Sequence, residues 1–293
     1  MKMENQTLEN DTLSLLVRWG ESQPLVRAMV MTSTMAIPGG ASDILSDYDI
    51  ELALSDVHPF AVSRDWLSAF GRVLVMYQDP LETIDGWLHS GNVTQFEGGL
   101  KIDFTLLETG YFASLQNVPQ LPAEYDAGYR VLLDKDGLIA GWPPPTYRAY
   151  IPSPPTYAQY FDMVEGALLD ATYVAKYLWR GDLMAARHVL VTYLTDEHLR
   201  PLLEWHYEID HGWQVKPGNY GRRMQQYLRP DLWTELVGTY AGPGLEENWQ
   251  ALFRTLALQR KVAEEVGERL GFSFPEEMVE KTVSYLHQIK EER

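Results

Sequence analysis

The 293-residue chain has no cysteine. That excludes disulfide bonds and every metal site built on thiolates, and it leaves the redox compartment open. Long apolar runs are missing as well: no stretch of about 18 apolar residues occurs, so no membrane-spanning helix is expected. The opening MKMENQTLENDTLSLL is acidic and lacks the basic-then-apolar order of a signal peptide. A cytoplasmic protein is the resulting expectation. Basic residues are few, with 24 Lys and Arg against 41 Asp and Glu and a formal charge of −17. Nucleic acid is thereby disfavoured as the main partner, because phosphate backbones require clustered cations. The histidines offer no metal-ligand spacing: His206 and His211 lie five apart, not the three or four that share a helix face. The sequence has no G-x-S-x-G nucleophile turn, internal repeat or low-complexity tract.

What is present describes a folded protein of two parts. Hydrophobic residues make up 45% of the chain and aromatics 12%, and the length suffices for two cores of ordinary size. Six prolines fall in WPPPTYRAYIPSPPTY, residues 142–157. Such a stretch fits neither a helix nor a central strand, so a stiff, extended linker is expected there. The expected domains are therefore residues 1–150 and 151–293.

Before the linker, the pattern predicts a helix at 10–21 and strands at 25–32, 47–53, 72–77, 100–107 and 131–133. It adds a turn at Gly39-Gly40 and a short helix at 63–70 with Ser63 as N-cap. After the linker, apolar residues recur every three or four positions through 157–179, 183–207, 221–228, 231–240, 246–270 and 275–290. Pro201 should kink or break the second of these helices, and Gly271 should end the fifth in a left-handed conformation. The expected fold class is α+β: a mixed β-sheet with helices, then an all-α helical bundle. Acidity is concentrated in the first part. Residues 1–150 carry 20 acids against 9 bases, and residues 151–293 carry 21 against 15. A strongly negative cleft attracts metal ions or a polycationic small molecule.

The acids are also patterned. In GGASDILSDYDIELALSD, residues 39–56, Asp47, Asp49 and Glu51 alternate with Tyr48, Ile50 and Leu52. Successive strand side chains point to opposite faces, so the three carboxylates share one face. Like charges this close repel, desolvation adds to the cost, and a positive partner is required. A second alternating stretch, GGLKIDFTLLE, puts Lys101, Asp103 and Thr105 on one face and Ile102, Phe104 and Leu106 on the other. If the two strands are neighbours, Asp103 stands beside Asp47 and Asp49. Three carboxylates suit Mg²⁺, which takes a few protein oxygens and completes its shell with water and substrate phosphate. Metal there would offset the repulsion and polarise a phosphoryl oxygen. Upstream, Thr32-Ser33-Thr34 occupies the place where phosphate-binding turns supply backbone N–H groups or a hydroxyl. Ser33 and Thr34 are the nucleotide-binding candidates. Glu51 is a spare acid of the face, with no role assigned.

SDYDIELALSDVHPF, DWLSAFG, KIDFTLLE, VLLDKDG, YVAKYLWRGDL and ENWQALF follow one another along nearly the whole chain. Together they resemble the aminoglycoside 6-adenylyltransferases, streptomycin-modifying enzymes of the polymerase-beta type nucleotidyltransferase superfamily. The resemblance implies an N-terminal nucleotidyltransferase domain and a C-terminal helical domain. It also implies transfer of AMP from Mg·ATP to the 6-hydroxyl of an aminoglycoside, releasing pyrophosphate and conferring antibiotic resistance. It carries Asp47 and Asp49 onto the metal-binding pair and Asp103 onto the third carboxylate. Lys176 in YVAK matches a lysine of the family's first long C-terminal helix, and its charge suggests a role at the triphosphate. Two departures stand out: the family's Gly-Ser-Arg reads Thr32-Ser33-Thr34, and its later Gly-Lys reads Gly221-Arg222.

In the implied reaction a base must take the proton of the attacking hydroxyl. Asp182, close in sequence to Lys176, is the first candidate, Asp103 the second and Glu97 the third. An Asp before Leu-Met-Ala-Ala is also a good helix N-cap. The acceptor pocket is expected between the domains, where ligand sites often form. Glu204, Trp205, Glu208 and Asp210 of LLEWHYEIDHGW are its expected lining, since carboxylates and a ring suit a cationic sugar. The same residues would equally make the exposed face of a helix. Two other functions fit the sequence: a nucleotidyltransferase with a different small-molecule or protein acceptor, and a catalytically weak nucleotidyltransferase-fold binding protein.

Overall fold

The computed structural model describes residues 2–38 and 43–292, so the turn expected at Gly39-Gly40 lies outside the described residues. The chain divides into two units, Met1–Ala149 and Tyr150–Arg293. Residues 142–156 between their ordered elements hold no helix or strand, as a stretch so rich in proline requires.

The first unit runs α1 (Lys2–Ser22), β1 (Val26–Met31), α2 (Ser33–Ala36), β2 (Tyr48–Leu54), α3 (His58–Val62), a 3-10 turn (Asp65–Phe70), β3 (Val73–Gln78), β4 (Glu82–Ile84), β5 (Trp87–Phe96), β6 (Lys101–Glu108), α4 (Thr109–Ser114), α5 (Ala123–Asp126) and β7 (Arg130–Asp134). The strands form one mixed sheet in the order β3-β5-β6-β2-β1-β7, with β4 paired to β5. Strands β2 and β6 run parallel, and the other described pairings are antiparallel.

Alternation gives this sheet two different faces. Ile50, Leu52 and Leu54 of β2 and Ile102, Phe104 and Leu106 of β6 pack against Leu16 and Trp19 of α1 and against Phe60, Leu67 and Phe70. The Trp66 ring lies 4.8 Å from Phe104 and 5.4 Å from Trp19, measured between centroids. Burying each of these large side chains contributes roughly 1.5–3 kcal/mol, so this face anchors the unit. On the opposite face Ala28, Val30, Ala53 and Leu107 are covered by Phe112, Leu115, Tyr125 and Trp142. Farther along that face, Asp47, Asp49, Lys101 and Asp103 are only half-buried.

Two local features differ from the sequence expectation. Ser63 is not the N-cap of a helix at 63–70. Pro59 lets α3 start at His58, Ser63 becomes its C-cap, and the 3-10 turn opens from Arg64. The Ser63 hydroxyl instead accepts the Asp65 N–H at 3.2 Å. The β4–β5 hairpin was not anticipated, because β5 buries Ser90, Asn92 and Thr94 instead of apolar side chains. Its turn does carry a signal: Asp85-Gly86, both with positive φ (51° and 88°), suits a two-residue hairpin loop.

The second unit runs α6 (Tyr157–Arg180), α7 (Leu183–His188), a π-helix (Val189–Leu199), α8 (Arg200–Asp210), a 3-10 turn (Asn219–Gly221), α9 (Met224–Tyr227), α10 (Pro230–Gly238), α11 (Leu245–Leu270) and α12 (Glu276–Glu291). Thr156 and Gln159 close a capping box on α6. Gly271 ends α11 at φ 74°, the left-handed stop expected of it. Pro201 does not break its helix. The preceding π-helix supplies wider turns, with the Arg200 N–H donating to the Thr195 carbonyl, and these accommodate a proline ring that would clash in an α-helix interior. The helix expected at 221–228 shrinks to α9, because Tyr220 (φ 55°) and Gly221 (φ 71°) are left-handed. Val164, Leu168 and Ala171 pack with Leu194, Leu202, Leu252 and Leu256 in one apolar core.

Candidate functional site

The parallel register of β2 and β6 sets Asp49 opposite Asp103 and Glu51 opposite Thr105. Paired residues of neighbouring strands share a face, so Asp47, Asp49 and Asp103 come together with Lys101 on one side of the sheet. The Lys101 Nζ lies 2.5 Å from Asp47 and 2.8 Å from Asp103. This ammonium is the positive partner that the alternating acids require. Burial pulls the Lys101 ammonium down, but hydrogen bonds to Asp103 and Asp47 leave it above the usual lysine range. Burial pushes the Asp49 carboxyl up, and the charges of Asp103 and Asp47 add to the rise. A hydrogen bond from the Ser33 side chain and the Lys101 charge oppose it.

Ser33 reaches Asp49 from the first position of α2. Thr32 is extended (φ −118°, ψ −166°), and its N–H donates to the Asp49 carbonyl at 3.0 Å. The backbone at 32 therefore makes no demand for glycine. The unusual conformation belongs to Ser33, at φ 62°. Thr34 follows half-buried, its carbonyl accepting the Ile37 N–H.

Among the described residues, no three acids or histidines stand ready as a metal site. Lys101 already engages two of the three acids. The donor set itself fits a hard divalent ion. It is all oxygen, and Asp103 Oδ1 is buried without a partner. Three carboxylates against one lysine also leave a surplus negative charge, which adds to the rise that burial causes at Asp49.

Two residues farther along β2, Glu51 is buried and accepts a hydrogen bond from the Tyr125 hydroxyl. Burial raises its carboxyl to about 7, opposed by the Tyr125 bond and reinforced by the charges of Glu124 and Asp49. Glu51 lines a pocket of about 360 Å³ together with Asp85, Glu124, His89, Trp87, Tyr111 and Tyr125. Among the described residues, no lysine or arginine lines it. The β4–β5 hairpin delivers Asp85, Trp87 and His89, and Gly110 leaves room for the Trp87 ring, into which a Cβ would run. Carboxylates beside aromatic faces suit a cation. Sequence reasoning missed this pocket together with the hairpin; it placed Lys101 on the right face but gave it no partner.

The remaining expected residues lie in other settings. Lys176 is exposed on α6, its Nζ 5.2 Å from the centroid of the Tyr173 ring. Asp182 holds the N-cap position of α7 but makes no capping hydrogen bond, and it is exposed. Glu97 follows β5, outside the acid cluster, and pairs with Arg72 at 3.4 Å. On α8 the exposed-face alternative fails for two of the acids, since Glu204 is 8% and Glu208 0% exposed. Burial raises both carboxyls. Glu204 accepts from Arg200 at 2.7 Å, and Glu208 from the Val215 N–H at 3.3 Å, while Glu208 Oε1 is buried without a partner. Trp205 is half-buried against the apolar core. Asp210 is exposed and pairs with Arg269.

The profile of the family Streptomycin adenylyltransferase matches residues 6–289. A protein named aminoglycoside 6-adenylyltransferase from Bacillus subtilis (strain 168) is 28% identical over 273 residues, 92% of this chain and 93% of its own length. One of the same name from Campylobacter jejuni is 25% identical over 272 residues, 91% of each chain. A crystal structure of an aminoglycoside 6-adenyltransferase from Bacillus subtilis aligns at a TM-score of 0.45 and 24% identity, covering 94% of this chain and 96% of that one. Because the profile spans both the acid-bearing sheet and the helical unit, the chain belongs to the streptomycin adenylyltransferase family and is a nucleotidyltransferase.

Proposed function

We propose that the chain moves AMP from ATP to a hydroxyl of a cationic aminoglycoside, the 6-hydroxyl of a streptomycin-like acceptor, and releases pyrophosphate. Acting in the cytoplasm, this reaction would inactivate the drug and confer resistance. The observation that carries the reading is the juxtaposition of Asp47, Asp49 and Asp103 on one sheet face. Mg²⁺ held by these three acids would neutralise phosphate charge. Ser33 and Thr34 are proposed to lie beside the phosphates, and Lys176 to pair with the triphosphate.

As the acceptor oxygen bonds to the α-phosphorus, the bond to pyrophosphate breaks and a carboxylate takes the hydroxyl proton. Asp182 suits that task better than Asp103. Its carboxylate makes no capping bond and is exposed, whereas Asp103 is already engaged in an ion pair with Lys101. The amines or guanidinium groups of the acceptor are proposed to sit against Glu51, Asp85 and Glu124, with Trp87 and Tyr111 flanking them. A second reading puts the acceptor against Glu204, Trp205 and Glu208, favoured by the unpaired Oε1 of Glu208.

Pyrophosphate release from Mg·ATP with and without streptomycin tests the reading. Release that depends on streptomycin supports it. Release that needs another hydroxylated acceptor keeps the transferase and replaces the substrate. Nucleotide that binds without turnover under any acceptor leaves a binding protein. Glu124→Gln and Glu208→Gln separate the two acceptor positions, since only the variant at the true contact raises the acceptor KM.

A further inference from the structure

We propose that Lys101 is the resident counter-ion of the metal site: its ammonium and a divalent ion are alternative occupants of Asp47 and Asp103. The proposal deepens the metal-assisted reading above and rests on it. Lys101 Nζ contacts Oδ2 of Asp47 and Oδ2 of Asp103 at ion-pair distance. A divalent ion drawing on the same carboxylates would lie a few ångströms from that ammonium, and two cations so close repel. Loading the site therefore moves Lys101 off at least one acid.

The surroundings permit the exchange. Lys101 is the first residue of β6, and its side chain keeps 28% of its surface in solvent. A four-carbon stem with a point charge can swing where a planar guanidinium fork would resist. Asp103 Oδ1, buried and unpartnered, is an oxygen left over after Lys101 is counted. Ser33 gives Asp49 a hydroxyl partner. The acid face is thus held together by one movable charge, and removing that charge should make the acids bind metal harder.

The test is Mn²⁺ binding to the full chain without nucleotide or acceptor, read as free Mn²⁺ by electron paramagnetic resonance. K101Q is expected to bind Mn²⁺ about tenfold more tightly than the parent, because it loses both competition and repulsion. K101R, which keeps the charge on a fork that resists displacement, should bind no more tightly than the parent. Equal or weaker binding by K101Q overturns the proposal and leaves the metal-assisted reading standing. Absence of binding by parent and K101Q alike overturns both. Should K101Q fail to fold, the parent supplies a second measurement. In ¹⁵N-lysine-labelled protein, the Nζ resonance missing from K101R belongs to Lys101, and Mg²⁺ should shift it. A resonance that does not move overturns the proposal.

Discussion

The acids along β2 and those of α8 are balanced by different means. On α8, Glu204 meets Arg200 one helical turn away and Glu208 meets the backbone N–H of Val215. Those partners are local in sequence. On β2 and the residue before it, Asp47 shares a single lysine with Asp103, Asp49 leans on a hydroxyl, and Glu51 takes a phenol. Those partners come from β6, from the start of α2 and from α5, in separate elements of the chain. An acid satisfied within its own helix is part of the packing. Acids that must share one movable cation retain a demand for positive charge, which is what a phosphoryl-transfer site uses.

The comparison is sharpest at Asp49. Asp49→Asn should cut AMP transfer by about a thousandfold or more while leaving the fold intact, measured as pyrophosphate release beside circular dichroism. Full turnover in this variant would break the distinction. On the helical side the largest effect should be on stability. Leu202 of α8 is completely buried, so Leu202→Ala should destabilise the second unit by about 2–5 kcal/mol in urea unfolding.

Glu51 tests the face through pH. Its folded carboxyl is raised from 4.5 to about 7, so its contribution to stability is fully present below the unfolded value and is lost as pH rises through the folded one. Between those limits the first unit should lose on the order of 2 kcal/mol. Glu51→Gln, which cannot ionise, should flatten that slope in thermal melts taken across the window. The smallest effect belongs to Arg200→Met, which leaves the Glu204 carboxyl short of its partner. It should cost about 1–2 kcal/mol and leave the ATP KM unchanged; a large rise in that KM would place α8 in the nucleotide site.

Much of the site was legible because alternation is a local property. The two stretches DYDIELAL and KIDFTLLE already separate acids from apolar residues, and the fold keeps that separation on β2 and β6. The helices after the linker and the stop at Gly271 were legible for the same reason. Burial of Glu204 and Glu208 was not, since EWHYEID has polar residues on every side and only the packing of α8 in the bundle shows which are enclosed. The pocket beside Glu51 was hidden by β5, whose buried Ser90, Asn92 and Thr94 look like loop residues.

The sequence by itself determined which side chains of each strand face together, because that follows from the pleat alone. It also determined that residues 142–156 hold no helix or strand, because proline restricts the backbone whatever surrounds it. Only the tertiary structure decided that β2 lies parallel to β6 with Asp49 across from Asp103, and that Lys101 is the cation between two acids. Strand pairing joins segments distant in sequence. Its register depends on how both faces of the sheet are buried at once, and no short window of sequence contains that information.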